Sequence, residues 1–340
     1  MPLPVPSLVS ARGLRCLLAL ALLAVAPQAA ARGPDCAYRT REVRAVPAPA
    51  AGELTVATQN LRRLFDTVDD GAGEVVTPDE YRLRLARLAA QVDEVLRRPA
   101  VIAVQEAEHE RALGDLAAAL RARTGLDWRP VLREGQDPGG IDVGFLVRAD
   151  WQVLQVEQLL GREKLDRHPL FDRPPLRLRL RAPGGRELEF VNVHLRSLYG
   201  SDRGDREARR IARKRARQAE VLAAWLKAAL AAQPGRRLVV LGDFNATPDA
   251  RGGVDVLGIV RATGLRALDG RLPEDERYTY VWRCDPEALD HVLVSPALLP
   301  AVSRLAVSRG NAGAATGRDT PPDSPLASSD HDALVLYLRP

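Results

Sequence analysis

Residues 239–245 read Val-Val-Leu-Gly-Asp-Phe-Asn: an apolar run that breaks at one glycine and then delivers Asp243 and Asn245. An extended chain turns residues i and i+2 to the same side. A carboxylate and an amide therefore leave a buried strand together. The pattern recurs along the chain. Asn60 ends a strand over residues 53–60, Gln105 and Glu106 end another over 101–105, and His194 closes Val191-Asn192-Val193-His194. Asp290-His291 and Ser329-Asp330-His331 follow. Singly, each reads equally well as a capped turn. Buried strands rarely end in charged groups without partners or a metal, so the recurrence implies a shared site.

The rest of the pattern sets the fold class. Leu54, Val56 and Thr58 alternate against Thr55, Ala57 and Gln59 as in a strand. Thr77-Pro78-Asp79-Glu80 is a capping box with proline in the first turn. It opens a helix expected to run to about Arg98, with Tyr81, Leu85, Leu88, Val92 and Val95 on one face. Helices are also expected over residues 109–124, 205–232 and 251–262. Strands are expected over 142–148, 151–159, 176–180, 188–195, 237–241, 279–283, 290–295 and 333–338. Strands in consecutive groups, with helices between some of them, argue for a mainly antiparallel α/β sandwich rather than regular βαβ winding. A Gly-, Ala-, Pro- and Ser-rich loop over residues 310–329 brings in Asp330 and His331.

The amino terminus reads as a secretory signal over residues 1–31. Arg12 and Arg15 precede an apolar run over 17–26 that is too short to span a bilayer, and Ala29-Ala30-Ala31 offers a cleavage site. Residues 32–52, rich in Pro, Ala and Arg, read as an irregular extension, and 53–340 as one domain. The processed protein is expected to be secreted or periplasmic, without stable membrane insertion, and monomeric. Cys36 and Cys284 are its remaining cysteines, and an oxidising compartment favours a disulfide between them. The signal takes two arginines with it, lowering the formal charge from +5 to +3. That total says little about partners. The distribution says more: the eight bases from Arg203 to Arg217 could lie along a polyanion or form a solvated helix face.

On the single Asn60, Gln-Glu, Gly-Asp-Phe-Asn, and Ser-Asp-His near the carboxyl end, in that order, the chain resembles the endonuclease/exonuclease/phosphatase (deoxyribonuclease I-like) superfamily from Leu54 to Leu338. The resemblance implies a four-layer α/β/β/α sandwich of two mixed, mainly antiparallel sheets, and divalent-metal-dependent phosphoester hydrolysis. It implies Glu106 and Asp330 as metal ligands, with Asn60 helping to hold the ion or its waters. Oxygen ligands suit Mg²⁺ or Mn²⁺. His331, held by Asp290, would activate the attacking water. His194 would stabilise charge or protonate the leaving oxygen, with Asp142 as its acidic partner. Asp243 and Asn245 would orient the nucleophile and bind the phosphate. His291 should point away from the site, and His109 and His168 match no motif and are expected at the surface.

The physical logic holds without the family. A phosphodiester is anionic and its transition state adds charge, so hydrolysis calls for a cation, hydrogen-bond donors and proton carriers at fixed places. The expected function is a nuclease acting on DNA, with RNA also open. The alternatives are a sphingomyelinase-like or small-phosphoester hydrolase and, as a separate class, a non-catalytic binding module.

Overall fold

The computed structural model describes Cys36, Tyr38, Thr40, residues 42–316 and residues 320–339; the expected signal over 1–31 lies outside them. Strand β1 is Leu54–Leu64, helix α1 Pro78–Ala90, β2 Val101–Ala107, α2 Glu110–Thr124, β3 Trp128–Leu132, β4 Asp142–Arg148 and β5 Gln152–Gln158. Then come β6 Leu176–Arg181, β7 Glu187–His194, α3 Asp205–Ala232, β8 Leu238–Asp243, α4 Val256–Arg261 and β9 Arg266–Ala267. Strands β10 Asp290–Val294, β11 Val302–Val307 and β12 Leu334–Leu338 complete the frame.

These strands form two six-stranded sheets, ordered β11-β12-β1-β2-β4-β3 and β9-β10-β8-β7-β6-β5. Only β1/β2 and β7/β8 pair in parallel. Those are the pairs whose connections contain α1 and α3, because a parallel step needs a crossover long enough for a helix. All other pairs within the two sheets are antiparallel. This is the expected four-layer sandwich.

Strand periodicity explains the layers. In β2, Val101 and Ala103 face the other sheet, while Ile102 and Val104 face α1 and α2. In β8, Val239 and Leu241 join the layer between the sheets, and Leu238 and Val240 pack with α3 and α4. Both faces are buried, so these strands read as continuous apolar runs rather than alternating ones.

Several boundaries differ from expectation for physical reasons. The Thr77 capping box forms, but α1 gives way to a π-helical turn over Gln91–Val95, and Arg97 and Arg98 have positive φ. Gln91 is buried there and donates to Gln59 in β1. Helix α4 begins at Val256 rather than near residue 251, since Gly252 and Gly253 turn the chain at φ +84° and +76° before Asp255 caps it. Strand β3 was missed because Arg129-Pro130 interrupts its apolar pattern; as an edge strand it tolerates the proline. Within the extension, Val46 is buried and its N–H bonds Val95 O. Cys36 and Cys284 are both disulfide-bonded. Among the described residues, no helix is long and apolar enough to cross a membrane.

Candidate active site

The cleft is assembled where β1, β2, β7 and β8 end. Ladder register sets Asp243 beside His194 on one flank and Asp290 on the other. Paired residues turn their side chains to a common face, so three polar groups from three strands are presented together. From the facing sheet, Asn60 and Gln105 are paired across β1 and β2, with Glu106 next in line.

Side-chain contacts join the two sheets. Asn60 Nδ2 donates to Glu106 Oε1 at 3.1 Å and to Asp243 Oδ2 at 3.2 Å. His194 Nε2 lies 3.6 Å from Asp243 Oδ2 and 4.0 Å from Glu106 Oε1. His331 Nδ1 meets Asp290 Oδ2 at 2.7 Å. Behind the cleft, Gln105 Nε2 donates to Asn192 Oδ1 at 2.7 Å, and Asn192 Nδ2 reaches Val104 O and Gly144 O. This buried polar bridge between sheets is fully paired, the condition under which such networks fix a geometry.

Local backbone geometry aims the groups. Gly242 has φ +131°, and a Cβ there would stand 2.1 Å from Val193 O. Only glycine lets the chain swing Asp243 forward while β8 stays paired. Gly242→Ala is accordingly expected to destabilise the fold by about 2–4 kcal/mol, read as a lower urea midpoint; an unchanged midpoint would contradict the strain argument. Glu106 and Asn245 also adopt left-handed conformations, at φ 61° and 49°. Asn245 is held there by Asp243 Oδ1 accepting its N–H, by its own Nδ2 donating to Leu195 O, and by Arg215 donating to its carbonyl. The Ser-Asp-His loop is tied to β1: Ser329 Oγ donates to Asn60 O and accepts the His331 N–H, while Gln59 donates to His331 O.

The charges are crowded. Burial, then Asp290 and Glu106, push the Asp243 carboxyl up to about 7, opposed by His331 and the Asn245 amide. Burial pulls His331 down, but the Asp290 charge and hydrogen bond, followed by Asp243 and Asp330, hold its imidazole well above its usual range. Burial, with Arg173 and His331 near it, keeps His194 well below that range. Ligand atoms of Asp243, Asp290 and His331 lie within 4.8 Å of one another, and Asp290 Oδ1 is buried without a hydrogen-bond partner. Carboxylate oxygens crowded in this way fit a hard divalent cation.

Some expected positions change. Asn60 turns its NH₂ to the carboxylates because its Oδ1 accepts the Arg62 N–H, so it orients Glu106 and Asp243 rather than offering an oxygen ligand. Asp330 sits at the rim, its side chain 41% exposed and 3.9 Å from Arg62 Nε. Its charge and that of Glu106 both act on Arg84. Asp142 does not partner His194. Its Oδ1 accepts the Gly135 N–H, burial pushes its carboxyl up to about 7, and His194 Nδ1 has no hydrogen-bond partner. Arg173 approaches His194 instead, donating to its carbonyl while paired with Asp137.

The basic track is also reduced. Arg210, Arg213, Lys214 and Arg217 pair with carboxylates, and Arg215 is fully buried against Arg196 O and Asn245 O. His168 is exposed as expected, but His109 is buried: its Nδ1 caps α2, and Asp66 lies 3.3 Å from its Nε2.

His291 points away from the cleft. Its Nδ1 meets Asp269 and its Nε2 meets Ala246 O and Ala288 O, so acceptors flank both ring nitrogens. Burial opposes the charged ring, but Asp269 and the Ala246 carbonyl raise its pKa above the ordinary histidine value. A raised folded pKa means this stabilisation is complete below the unfolded value and is lost as pH rises through the folded one. Urea midpoints of the wild type should therefore fall more steeply across that window than those of His291→Gln; parallel profiles would contradict the assignment.

Two groups escaped the sequence reading. Tyr280 lies against His331, ring centroids 4.8 Å apart, and Thr279 Oγ1 accepts the Asp290 N–H. Thr279-Tyr280 showed only as part of a strand, and the hairpin that carries them, Tyr280–Trp282 with Asp285–Glu287, has no strong turn signal.

Residues 57–331 match the model of the Endonuclease/Exonuclease/phosphatase family. The chain belongs to this family. Its reaction class is therefore that of a metal-dependent phosphoester hydrolase. No curated protein matches the sequence. Solved structures share the fold. An endonuclease/exonuclease/phosphatase family protein from Bacteroides thetaiotaomicron is 17% identical, with TM-score 0.53, covering 86% of this chain and 98% of its own. The human nocturnin catalytic domain with bound sulfate is 18% identical, with TM-score 0.53 and coverages of 85% and 95%. TDP2 from D. rerio, complexed with a single-strand DNA product, is 17% identical, with TM-score 0.54 and coverages of 84% and 98%.

Proposed function

We propose that this family member is an exported nuclease that hydrolyses phosphodiester bonds of DNA, with RNA a possible second substrate, using Mg²⁺ or Mn²⁺ and acting as a monomer. The observation that carries the reading is the His331–Asp290 pair opening onto the same cleft as Asp243, Glu106 and His194. The single-strand DNA product held by D. rerio TDP2 supports nucleic acid as the substrate class. Disulfide-bonded Cys36 and Cys284 support export, since disulfides persist in oxidising compartments.

Glu106, with Asp330 and the neighbouring Asp243, would hold the cation, which supplies Lewis-acid stabilisation of phosphate charge. The remaining work falls to the protein. Asp290 accepts the hydrogen bond of His331 Nδ1, which fixes the ring and turns Nε2 to the substrate side; in the fraction of sites where the ring is neutral, Nε2 takes a proton from water. The water oxygen bonds to phosphorus, the bond to the leaving oxygen breaks as that oxygen takes a proton from solvent, and His194 offers a hydrogen bond to the phosphate. Asn60 holds Glu106 and Asp243 in place, and Asn245 lines the phosphate side.

Incubating plasmid DNA with the purified protein tests this, with Mg²⁺ or with EDTA, beside a parallel sphingomyelin digest. Nicking or shortening of DNA that EDTA abolishes is the expected result. Cleavage of sphingomyelin alone would move the assignment to a lipid phosphodiesterase.

A further inference from the structure

Among the described residues, two aromatic side chains stand out in solvent, Tyr199 at 72% exposure and Trp282 at 54%. Each carries an arginine. The Arg203 guanidinium lies 5.0 Å from the Tyr199 centroid and donates to its hydroxyl, and that of Arg283 lies 5.3 Å from the Trp282 centroid.

Both rings belong to the cleft's surroundings. Tyr199 follows His194 by five residues, and Trp282 shares a short strand with Tyr280, the ring that rests on His331. The two supporting segments also meet at one loop, over residues 247–253, just beyond Asn245. There Arg251 binds Asp285 and Glu287 of the Trp282 hairpin, and the Leu198 side chain packs against Gly252.

We propose that this rim is a stacking platform for single-stranded nucleic acid, with Tyr199 and Trp282 each taking the face of one unpaired base. The inference rests on the nucleic-acid reading above and narrows it to single strands. Each ring holds its arginine on one face and offers the other to solvent, where base–aromatic stacking is favourable and indifferent to sequence. A duplex hides its base faces within the stack, so free ring platforms select unpaired bases. The adjoining guanidiniums match the phosphates that accompany those bases, and Arg206 and Arg209, exposed and without a carboxylate partner among the described residues, extend the positive charge along the start of α3.

The test uses the full chain in EDTA, where binding is read without turnover. Trp128 and Trp151 are buried and Trp225 lies beneath Arg177, so Trp282 is the exposed reporter. Oligo(dT) should quench the tryptophan fluorescence, and Trp282→Phe should remove that signal while keeping the affinity seen by anisotropy of a labelled oligonucleotide. Trp282→Ala and Tyr199→Ala should each weaken binding about tenfold, and the double variant about a hundredfold. Thermal melts verify folding.

Unchanged affinity in folded alanine variants, equal affinity for a hairpin duplex, or binding only to anionic phospholipid vesicles would overturn the platform. Wild-type turnover of bis(p-nitrophenyl) phosphate with Mg²⁺ judges the hydrolase reading independently. Its absence beside intact oligonucleotide binding would remove the enzyme reading and leave the platform standing. Its presence beside indifferent alanine variants would do the reverse.

Discussion

Replacing His331 by alanine is expected to lower kcat on a phosphodiester by roughly 10²–10⁴-fold, the scale of general acid–base help. His331 is the imidazole whose Nδ1 is anchored by Asp290 while its other nitrogen stays free for the substrate side. The same change strands Asp290 in a buried place, at a cost of about 3–5 kcal/mol for a broken buried pair. His331→Gln, which keeps a polar neighbour for Asp290, separates the two effects. Both variants should lose turnover, the glutamine with the smaller drop in melting temperature. Turnover near wild type in a folded His331 variant would overturn the mechanism.

The second large effect is expected at Glu106. Glu106→Gln keeps the size of the side chain and its contact with Asn60, but removes one negative charge from a cleft crowded with them. The metal concentration for half-maximal activity should rise by about a hundredfold or more, at or above the top of the 10–100-fold range typical of residues that merely support a ligand. Titrating Mg²⁺ against turnover measures it. An unshifted midpoint would remove Glu106 from the metal site and leave Asp243 and Asp330 to be tested in the same way.

The sheets and the cleft were legible in the sequence to different degrees. Runs such as Val101-Ile102-Ala103-Val104 and Val239-Val240-Leu241 declared themselves because strands buried on both faces need apolar residues at every position. The polar groups that end those runs, Glu106, His194 and Asp243, meet in space, with Asp290 joining them from the start of β10. Their ends are dictated by local pattern, and the parallel pairs place several of them at one edge. What resisted reading was contact between distant segments. Nothing in the neighbourhood of Asp142 announces that Gly135 captures its carboxylate. The basic stretch left a polyanion track and a solvated helix face equally open because sequence does not reveal which arginines find carboxylates. Arg215 looks like its neighbours, yet it is buried against the Asn245 loop. His109 resembled a surface residue because a cap and its partner, Asp66, lie far apart in the chain.

The cleft draws Asn60 and Glu106 from one sheet, with His331 from the loop that leads into its strand β12, and His194, Asp243 and Asp290 from the other, with Gln105 and Asn192 as a bolt behind them. Neither half holds a complete site. Any ion or phosphate seated there must grip both leaves at once and acts as a rivet through the sandwich. Loading the site and resisting unfolding are then one linked equilibrium, and a slip between the leaves would disarm the chemistry before it melted either sheet.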